Sequence, residues 1–193
     1  MTELQLDAAR SALLVMDFQV PIVERFAAGQ DALLAATAAA IDAARRSGTR
    51  VIYVVVGFRS GLPEISPRNK SFSRLKASGG FATDVHPKVA PADDEVIVTK
   101  HRVGAFSGTD LDMILRAHDI DTLLLCGIAT SGVVLSTLRH AADADYRIFV
   151  LRDCCSDQDA DVHSCLMDKV FPRQADIIDS AQFIRAAGAR GLR

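Results

Sequence analysis

The sequence predicts an α/β fold of three layers, in which a mostly parallel six-stranded sheet carries helices on both faces. Three observations support this: short apolar runs recur along the chain, helix-forming segments separate them, and 49% of the 193 residues are hydrophobic. Short apolar runs bounded by turn residues are typical of strands buried on both faces, and strands that alternate with helices favour a parallel sheet. The length fits a single domain, residues 1–193.

The first half of the chain predicts two strands, a helix and a long connection. The strands are predicted from the apolar run ALLVM at 12–16 and the β-branched run VIYVVV at 51–56. The Ala-rich segment 30–47 between them has high helix propensity, and Gly48 marks its end. The segment 57–94 is rich in Gly, Pro and Ser, and a connection of that length in a compact domain is usually functional.

The second half of the chain predicts four more strands in the same alternation. They are EVIVTK at 95–100, TLLLC at 122–126, RIFVL at 147–151 and ADIID at 175–179. One helix is expected to start at Thr109 as N-cap, with Asp112 in the capping-box position three residues later. A second helix is expected over residues 133–144.

Composition and charge exclude several classes of function. The net charge is −2 and the sequence pI is about 6.2, so neither nucleic acid nor an anionic membrane is expected as a partner. The apolar run near the N-terminus, about five residues long, is too short for a signal peptide or a membrane span, and a cytoplasmic protein is expected. The cysteines lack the paired spacing of zinc sites and are expected to be buried thiols: Cys126, Cys154, Cys155 and Cys165.

Two charged residues stand at predicted strand ends, where parallel sheets bind their ligands. Asp17 directly follows the first apolar run, and Lys100 closes the third strand. A carboxylate in that position is costly to desolvate unless it is paired, and Lys100 is its natural partner. Such a pair can make Asp17 a proton shuttle, whereas the alternative is a structural ion pair that joins two strand ends.

The turn CGIATSG, residues 126–132, follows the fourth predicted strand and leads into a helix. The first amides of a helix have no intrahelical partner and can form an anion or oxyanion pocket, although a plain strand-to-helix connection is the alternative. Thr130 and Ser131 carry hydroxyls there and are expected to act as turn or capping groups rather than as nucleophiles.

Several segments together resemble the isochorismatase-like hydrolase family, which includes nicotinamidases, other cysteine amidohydrolases and isochorismatase. They are ALLVMDFQ, VTKHRVGAFSGTDLDMIL, LLLCGIATSGVVLSTLRHAADADYRIFVLRDCCSD and VFPRQADII, in the family order between about Ala12 and Ile178. The resemblance implies a Rossmann-like sheet with an Asp–Lys–Cys triad, and a homo-oligomer. For this chain we expect a small-molecule substrate and no cofactor.

The resemblance also implies roles for individual residues. Asp17 matches the family acid/base and Lys100 the family lysine. Ile128 and Ala129 match a pair joined by a non-proline cis peptide bond, which in relatives aims the second amide at the developing oxyanion.

The family nucleophile falls on Val133, counted six residues after Gly127 and four before Thr137. Valine cannot attack a carbonyl, so the cysteine of the cysteine hydrolases is absent. Isochorismatase proper also lacks it: there an Asp protonates the alkene carbon of a vinyl ether, and water captures the cation. Those enzymes carry glycine at this position, whereas Val133 places a branched side chain there.

Further site residues are expected around this centre. Nicotinamidases bind a metal through an Asp and histidines after the second strand, but residues 57–60 contain neither, so no metal is expected. Arg59 is a candidate anchor for a substrate carboxylate or a surface arginine. Gln19 could orient Asp17, and Phe106 is expected either to wall the pocket or to belong to the core.

We therefore predict a hydrolase that uses Asp17/Lys100 acid–base catalysis without a cysteine nucleophile. Its substrate is expected to be a small molecule, which can carry a carboxylate group. The predicted site comprises Ala129 and Val133 with this pair, and Gln19, Arg59, Phe106 and Ile128 around the substrate. One alternative is a non-catalytic binding protein that retains the pocket. The other is a cysteine hydrolase that uses a different thiol.

Overall fold

The computed structural model describes residues 5–27, 29–73 and 83–188, so part of the long connection, 74–82, lies outside the described residues. Within them the chain forms six strands: β1 (Ser11–Met16), β2 (Arg50–Val56), β3 (Val96–Lys100), β4 (Thr122–Ile128), β5 (Arg147–Ser156) and β6 (Asp176–Ile178). All neighbouring strands are parallel, in the order β3-β2-β1-β4-β5-β6. The predicted parallel α/β sheet is confirmed.

Six α-helices lie within the described residues: α1 (Val20–Phe26), α2 (Gln30–Ser47), α3 (Leu111–Ala117), α4 (Leu135–Asp143), α5 (Ala160–Cys165) and α6 (Ser180–Gly188). Short 3₁₀ turns cover Ala8–Arg10, Pro87–Val89 and Phe171–Arg173, and single π-helical turns cover Thr130–Val134 and Leu166–Val170. No described helix combines the length and apolar character needed to cross a membrane.

The sheet is covered on both faces because side chains alternate along each strand. Leu13 and Val15 of β1 face one apolar cluster, which contains the buried side of α2. Leu14 and Met16 face the other, which contains buried residues of α3 and α4. All six residues of β1 are buried, as expected for a central strand of a three-layer fold.

The predicted α2 has the expected bounds, and Gly48 ends it with the left-handed φ of 79° that glycine adopts at low cost. The capping box predicted for α3 is wrong. Thr109 Oγ1 accepts from the N–H of Leu111 at 3.3 Å, but the N-cap is Asp110. Asp112 instead forms an ion pair with Arg116 one turn later, and this contact competes with a return to the cap.

Two predicted boundaries near the C-terminal half were also wrong. β5 continues five residues beyond the predicted end at Leu151, so Asp153 lies inside the strand rather than after it. The Asp153 carboxylate accepts from the Ser180 N–H (2.8 Å) and hydroxyl (2.5 Å), and it therefore fixes the start of α6. The helix expected from residue 133 begins as an α-helix at Leu135, after the π-helical turn.

The strand order places the change of direction between β1 and β4. β2 and β3 lie on one side of β1, and β4, β5 and β6 lie on the other. In such sheets ligands bind in the crevice beyond the carboxyl ends of the strands at this point. The residues that follow β1 and β4 therefore lie at the expected ligand crevice.

Candidate active site

The carboxyl ends of three neighbouring strands bring two charged side chains together. The N–H of Asp17 donates to Val54 O (2.8 Å) and that of Gly57 donates to Lys100 O (3.1 Å), so β1, β2 and β3 end at one level. Lys100 reaches across the end of β2, and its Nζ lies 2.9 Å from Asp17 Oδ2. The two residues paired from the sequence thus form an ion pair.

This ion pair is almost completely removed from solvent. The side chain of Lys100 is 3% exposed and that of Asp17 is 8% exposed. Lys100 Nζ also donates to Arg102 O at 3.0 Å. Asp17 Oδ1, in contrast, is buried and meets no hydrogen-bond donor among the described residues. One carboxylate oxygen therefore retains acceptor capacity that these protein groups do not use.

Burial changes the proton affinity of Asp17. It raises the pKa of this carboxyl group from 3.8 to about 6, because removal from water disfavours the charged form. The Lys100 ammonium opposes this change through its charge and its hydrogen bond, but it offsets burial only in part. The carboxyl group can consequently take up or release a proton near neutral pH, as general acid–base catalysis requires.

The backbone of Asp17 adopts a left-handed conformation, with φ of 60°. This conformation costs most residues about 1 kcal/mol or more, whereas Asp and Asn adopt it more readily than other non-glycine residues. The chain leaves β1 abruptly at this residue. Asparagine is accordingly the matched replacement for Asp17, because it preserves both the backbone preference and the shape.

Val133 lies in the turn after β4, beside the end of β1. A Cβ on Gly127 would lie 3.3 Å from Val133 Cγ1 and 2.9 Å from Met16 O. The Val133 side chain, which is 2% exposed, therefore packs closely against the Gly127 backbone where β1 and β4 meet. Val133 therefore lies close to the end of β1, which Asp17 directly follows. Its side chain contributes packing but provides no nucleophile.

Hydrogen bonds fix the backbone of this turn. The Ile128–Ala129 peptide bond is cis. Ala129 O accepts from the N–H groups of Gly132 (3.1 Å) and Val134 (3.3 Å). The main chain on both sides of Val133 is thereby tied to a single residue at the start of the turn.

The segment around α5 holds the turn from outside. The buried Thr130 hydroxyl lies 2.8 Å from Nδ1 of His163, and Asp157 Oδ2 accepts from the Ser131 N–H at 2.7 Å. Burial, with the nearby Arg152 charge, lowers the pKa of His163, which favours the neutral ring. These contacts agree with the prediction that Thr130 and Ser131 are turn groups.

A cavity of about 360 Å³ opens beyond β3, lined by Glu64, His101, Arg102, Ser107 and Gly108. His101 and Arg102 follow Lys100 directly in the chain, and Arg102 O accepts from Lys100 Nζ, so the cavity adjoins the ion pair. A larger cavity of about 530 Å³ lies at the opposite edge, around the amino ends of β2 and β3. Neither Asp17 nor Lys100 lines either of these two cavities, and among the described residues the smaller one is connected to the ion pair only through Arg102.

Comparison with known proteins decides the family. Residues 11–182 match the isochorismatase domain model. The chain belongs to the isochorismatase family.

Relatives in this family cover nearly the whole chain. The isochorismatase family protein YwoC of Bacillus subtilis is 32% identical over 176 residues, which are 90% of this chain and 92% of the relative. Maleamate amidohydrolase of Pseudomonas putida is 26% identical, over 91% of this chain and 87% of its own. A cysteine hydrolase structure from Pseudomonas syringae pv. phaseolicola superposes with a TM-score of 0.86 at 22% identity, covering 96% of each chain. This chain is thus a hydrolase of the isochorismatase family.

The structure places the predicted substrate residues of this family member in different surroundings. Gln19 is buried: its Nε2 donates to Val56 O (3.0 Å) and its Oε1 accepts from Val56 N (2.7 Å), which joins it to the end of β2. Phe106 is 6% exposed and stacks on His140, with ring centroids 4.4 Å apart, so it belongs to the core. Of the two alternatives for Phe106, the structure favours the core.

Arg59 lies at the surface and is already paired with a carboxylate of the protein. Its side chain is 73% exposed, and its Nη1 lies 2.6 Å from Glu64 Oε1. A protein carboxylate therefore already occupies the position that a substrate carboxylate was expected to take. Sequence reasoning missed Glu64, because a single Glu within a Gly- and Pro-containing loop carries no distinguishing pattern.

The thiols within strands are poor candidates for a displaced nucleophile. Cys126, Cys154 and Cys155 are buried, as predicted. Burial raises the pKa of Cys155 to about 12 and that of the other two well above the usual range, so the reactive thiolate is disfavoured. Cys165 differs from the prediction, since it is exposed on α5.

Proposed function

We propose that this hydrolase uses Asp17/Lys100 acid–base catalysis, without a covalent cysteine intermediate, to cleave a small substrate. The substrate can carry a carboxylate group. One observation carries the proposal. Asp17 Oδ1 is a buried carboxylate oxygen with no donor among the described residues, and the pKa of its carboxyl group is about 6. A proton carrier is therefore present at the edge of the sheet where parallel α/β folds bind ligands, while the side chain of Val133 cannot attack.

The reaction that suits these groups best is direct attack of water on a carbonyl. At pH 7 a carboxyl group with a pKa of about 6 is about nine-tenths ionised, so Asp17 can accept the proton of the attacking water. Lys100 remains within 2.9 Å and stabilises the carboxylate before transfer. Asp17 then returns the proton to the leaving group, which closes the cycle with no change in the enzyme.

The developing oxyanion requires donors on the opposite side of the carbonyl. We assign this role to the backbone amides of Ala129 and Val133, which lie in the turn after β4. Ile128 and Gln19 complete the surroundings of the site in this proposal. Amide donors of this kind commonly contribute about 10²–10³ in rate, and a positioned acid–base group about 10²–10⁴.

The relatives favour an amide over a vinyl ether as the bond that is cleaved. Maleamate amidohydrolase, which shares 26% identity, is named for an amide substrate. Direct hydration of an amide needs ionised Asp17 first, whereas protonation of a vinyl ether needs the neutral acid. The two reactions therefore predict opposite dependence on pH around the pKa of Asp17.

The test is a hydrolysis screen of amides, esters and vinyl ethers with the wild type and Asp17→Asn. We expect turnover of at least one amide, reduced by at least about 100-fold in Asp17→Asn, because the substitution removes the proton carrier. A reaction that proceeds equally well in the variant would contradict the proposal.

Two alternatives give different outcomes in the same screen. A binding protein that retains the pocket, a possibility favoured by Val133, binds small molecules but turns none of them over. A cysteine hydrolase loses activity when its thiols are alkylated by iodoacetamide, whereas the proposed mechanism survives alkylation of the exposed Cys165. The homo-oligomer and the cytoplasmic location stay predictions, and light scattering of the purified protein tests the first.

A further inference from the structure

Glu64 is the second carboxylate with an unused oxygen at this end of the sheet. Its Oε1 accepts from Arg59 Nη1 at 2.6 Å, and the Arg59 N–H lies 3.4 Å from the same atom. Its Oε2 is buried and has no hydrogen-bond partner among the residues that the structure describes. The side chain as a whole is 11% exposed and lines the 360 Å³ cavity together with His101 and Arg102.

We propose that Glu64 determines the specificity of this cavity by accepting a hydrogen bond from a substrate N–H group, which selects a carboxamide or ureide over the corresponding carboxylic acid. The inference rests on the proposed function, since it names the part of the substrate that the cavity recognises. It concerns the group that this cavity binds and does not depend on how Asp17 moves protons.

The charge state of Glu64 sets the chemistry of its ligand. Hydrogen bonds from its own backbone and from Arg59 outweigh burial and lower the pKa of this carboxyl group. An ionised carboxylate accepts hydrogen bonds and donates none. A buried acceptor without a donor is unfavourable, so a ligand that supplies an N–H gains affinity, whereas a second carboxylate is repelled.

His101, which also lines the cavity, offers a second acceptor atom. Its Nδ1 lies 2.5 Å from the backbone oxygen of Gly57, which can only accept, so Nδ1 carries the proton. In the neutral ring Nε2 is then an acceptor. An amide or ureido nitrogen with two hydrogens matches a cavity wall with two acceptors better than an ester or a carboxylate does.

Positive charge in the cavity comes from Arg102 rather than from Arg59. Arg59 forms an ion pair with Glu64, its side chain is 73% exposed, and it is not among the residues that line the cavity. Arg102 lines the cavity, and its Nη1 donates to the His101 carbonyl at 2.6 Å. A substrate with an amide at one end and a carboxylate at the other can thus place opposite groups near Glu64 and Arg102.

Binding of three matched probes tests the inference: succinamate, monomethyl succinate and succinate. The first two carry the same charge and nearly the same shape, but only succinamate has N–H donors. For the wild type, calorimetry at pH 7 is expected to give the affinity order succinamate, monomethyl succinate, succinate. In Glu64→Gln, succinamate is expected to bind about 10- to 100-fold more weakly, the effect of one hydrogen bond to a charged acceptor, and succinate more tightly.

Glu95→Gln is the matched control. Glu95 has the same side-chain exposure of 11% and is likewise paired with an arginine, Arg45, but it lies near the amino end of β3. Its substitution is expected to leave all three affinities unchanged within about twofold. Thermal unfolding of both variants verifies that each remains folded at the temperature of the assay.

Three results would overturn the inference: no binding of succinamate by the wild type at millimolar concentration, equal binding of succinamate and its ester, or equal losses in Glu64→Gln and Glu95→Gln. Hydrolysis is scored separately with Asp17→Asn. Selective binding that depends on Glu64 without any turnover supports the inference and refutes the proposed function. Turnover that depends on Asp17 without any effect of Glu64 does the reverse.

Discussion

Replacement of the buried ion pair by neutral groups gives a quantitative test of its electrostatics. The perturbation is the double variant Asp17→Asn/Lys100→Met, which preserves the approximate shape of both side chains and the left-handed backbone at residue 17. It leaves no titratable group at the site. The free energy of unfolding of the wild type minus that of the variant then isolates the contribution of the pair.

The expected magnitude follows from the pKa of Asp17. Because this pKa is raised from 3.8 to about 6, the folded state binds a proton that the unfolded state has already lost between those pH values. The interval corresponds to about 3 kcal/mol in total. Stability contributed by protonated Asp17 is fully present below pH 3.8 and is lost as the pH rises through about 6.

We therefore expect the wild-type-minus-variant difference to fall by roughly 2–3 kcal/mol between about pH 4 and pH 7.5. At neutral pH the variant is expected to be the more stable protein, by about 1–4 kcal/mol, because a buried ion pair seldom regains its full desolvation cost. Urea unfolding followed by far-ultraviolet circular dichroism gives both quantities, and this probe suits a chain that has no Trp.

The result that would refute this reasoning is a difference that stays constant with pH or rises with it. A constant difference means that Asp17 has its ordinary pKa in the folded protein. A rising difference means that Lys100 lowers the pKa of Asp17 more than burial raises it. In either case the proton carrier of the proposed mechanism is lost, since Asp17 is then ionised throughout the working range of pH.

Three further predictions concern catalysis and packing. For amide hydrolysis, kcat/KM is expected to rise about tenfold per pH unit below about pH 6 and to level off above it, because Asp17 must be ionised; a decrease over the same range would favour vinyl ether chemistry. Val133→Cys is expected to introduce amidase or esterase activity that iodoacetamide abolishes. Val133→Ser, which has no reactive thiol, is the control. If Val133→Cys gains no such activity, the surrounding backbone amides do not form an oxyanion site. Gly127→Ala is expected to lower the free energy of unfolding by about 1–3 kcal/mol in urea titrations, because the new Cβ would lie 2.9 Å from the backbone oxygen of Met16. Gly188→Ala is the control, since its Cβ would meet no atom within 4 Å, and it is expected to change the free energy of unfolding little. Equal effects of the two substitutions would contradict this packing.

The sheet accounts for how the ion pair keeps its strained and buried environment. Val54 and Lys100 accept backbone hydrogen bonds that bring β1, β2 and β3 to a common level, so the pair is held by the sheet itself. A rigid sheet can keep Asp17 in a strained backbone conformation and in an unfavourable charge environment at the same time. This is the usual relation between a stable scaffold and a perturbed functional group.

The sequence by itself determined the layers of the fold and the central pair. Short apolar runs and an Ala-rich segment that ends at Gly48 predicted the strands and α2, because burial on two faces and helix propensity are properties of local sequence. Asp17 and Lys100 could be paired before the structure was known, since each directly follows or closes a buried strand. Two opposite charges at the carboxyl ends of nearby buried strands have few possible partners other than each other.

Tertiary structure alone decided what surrounds this pair. Arg59 was expected either to hold a substrate carboxylate or to be a surface arginine, and it lies at the surface paired with Glu64. The fifth strand was expected to end at Leu151, but it continues through Asp153, which fixes the start of α6. These contacts depend on loop paths and on residues distant in sequence, which leave no periodic signal. Local pattern therefore specified where the charges could lie, and only long-range packing specified which of their atoms have hydrogen-bond donors among the described residues.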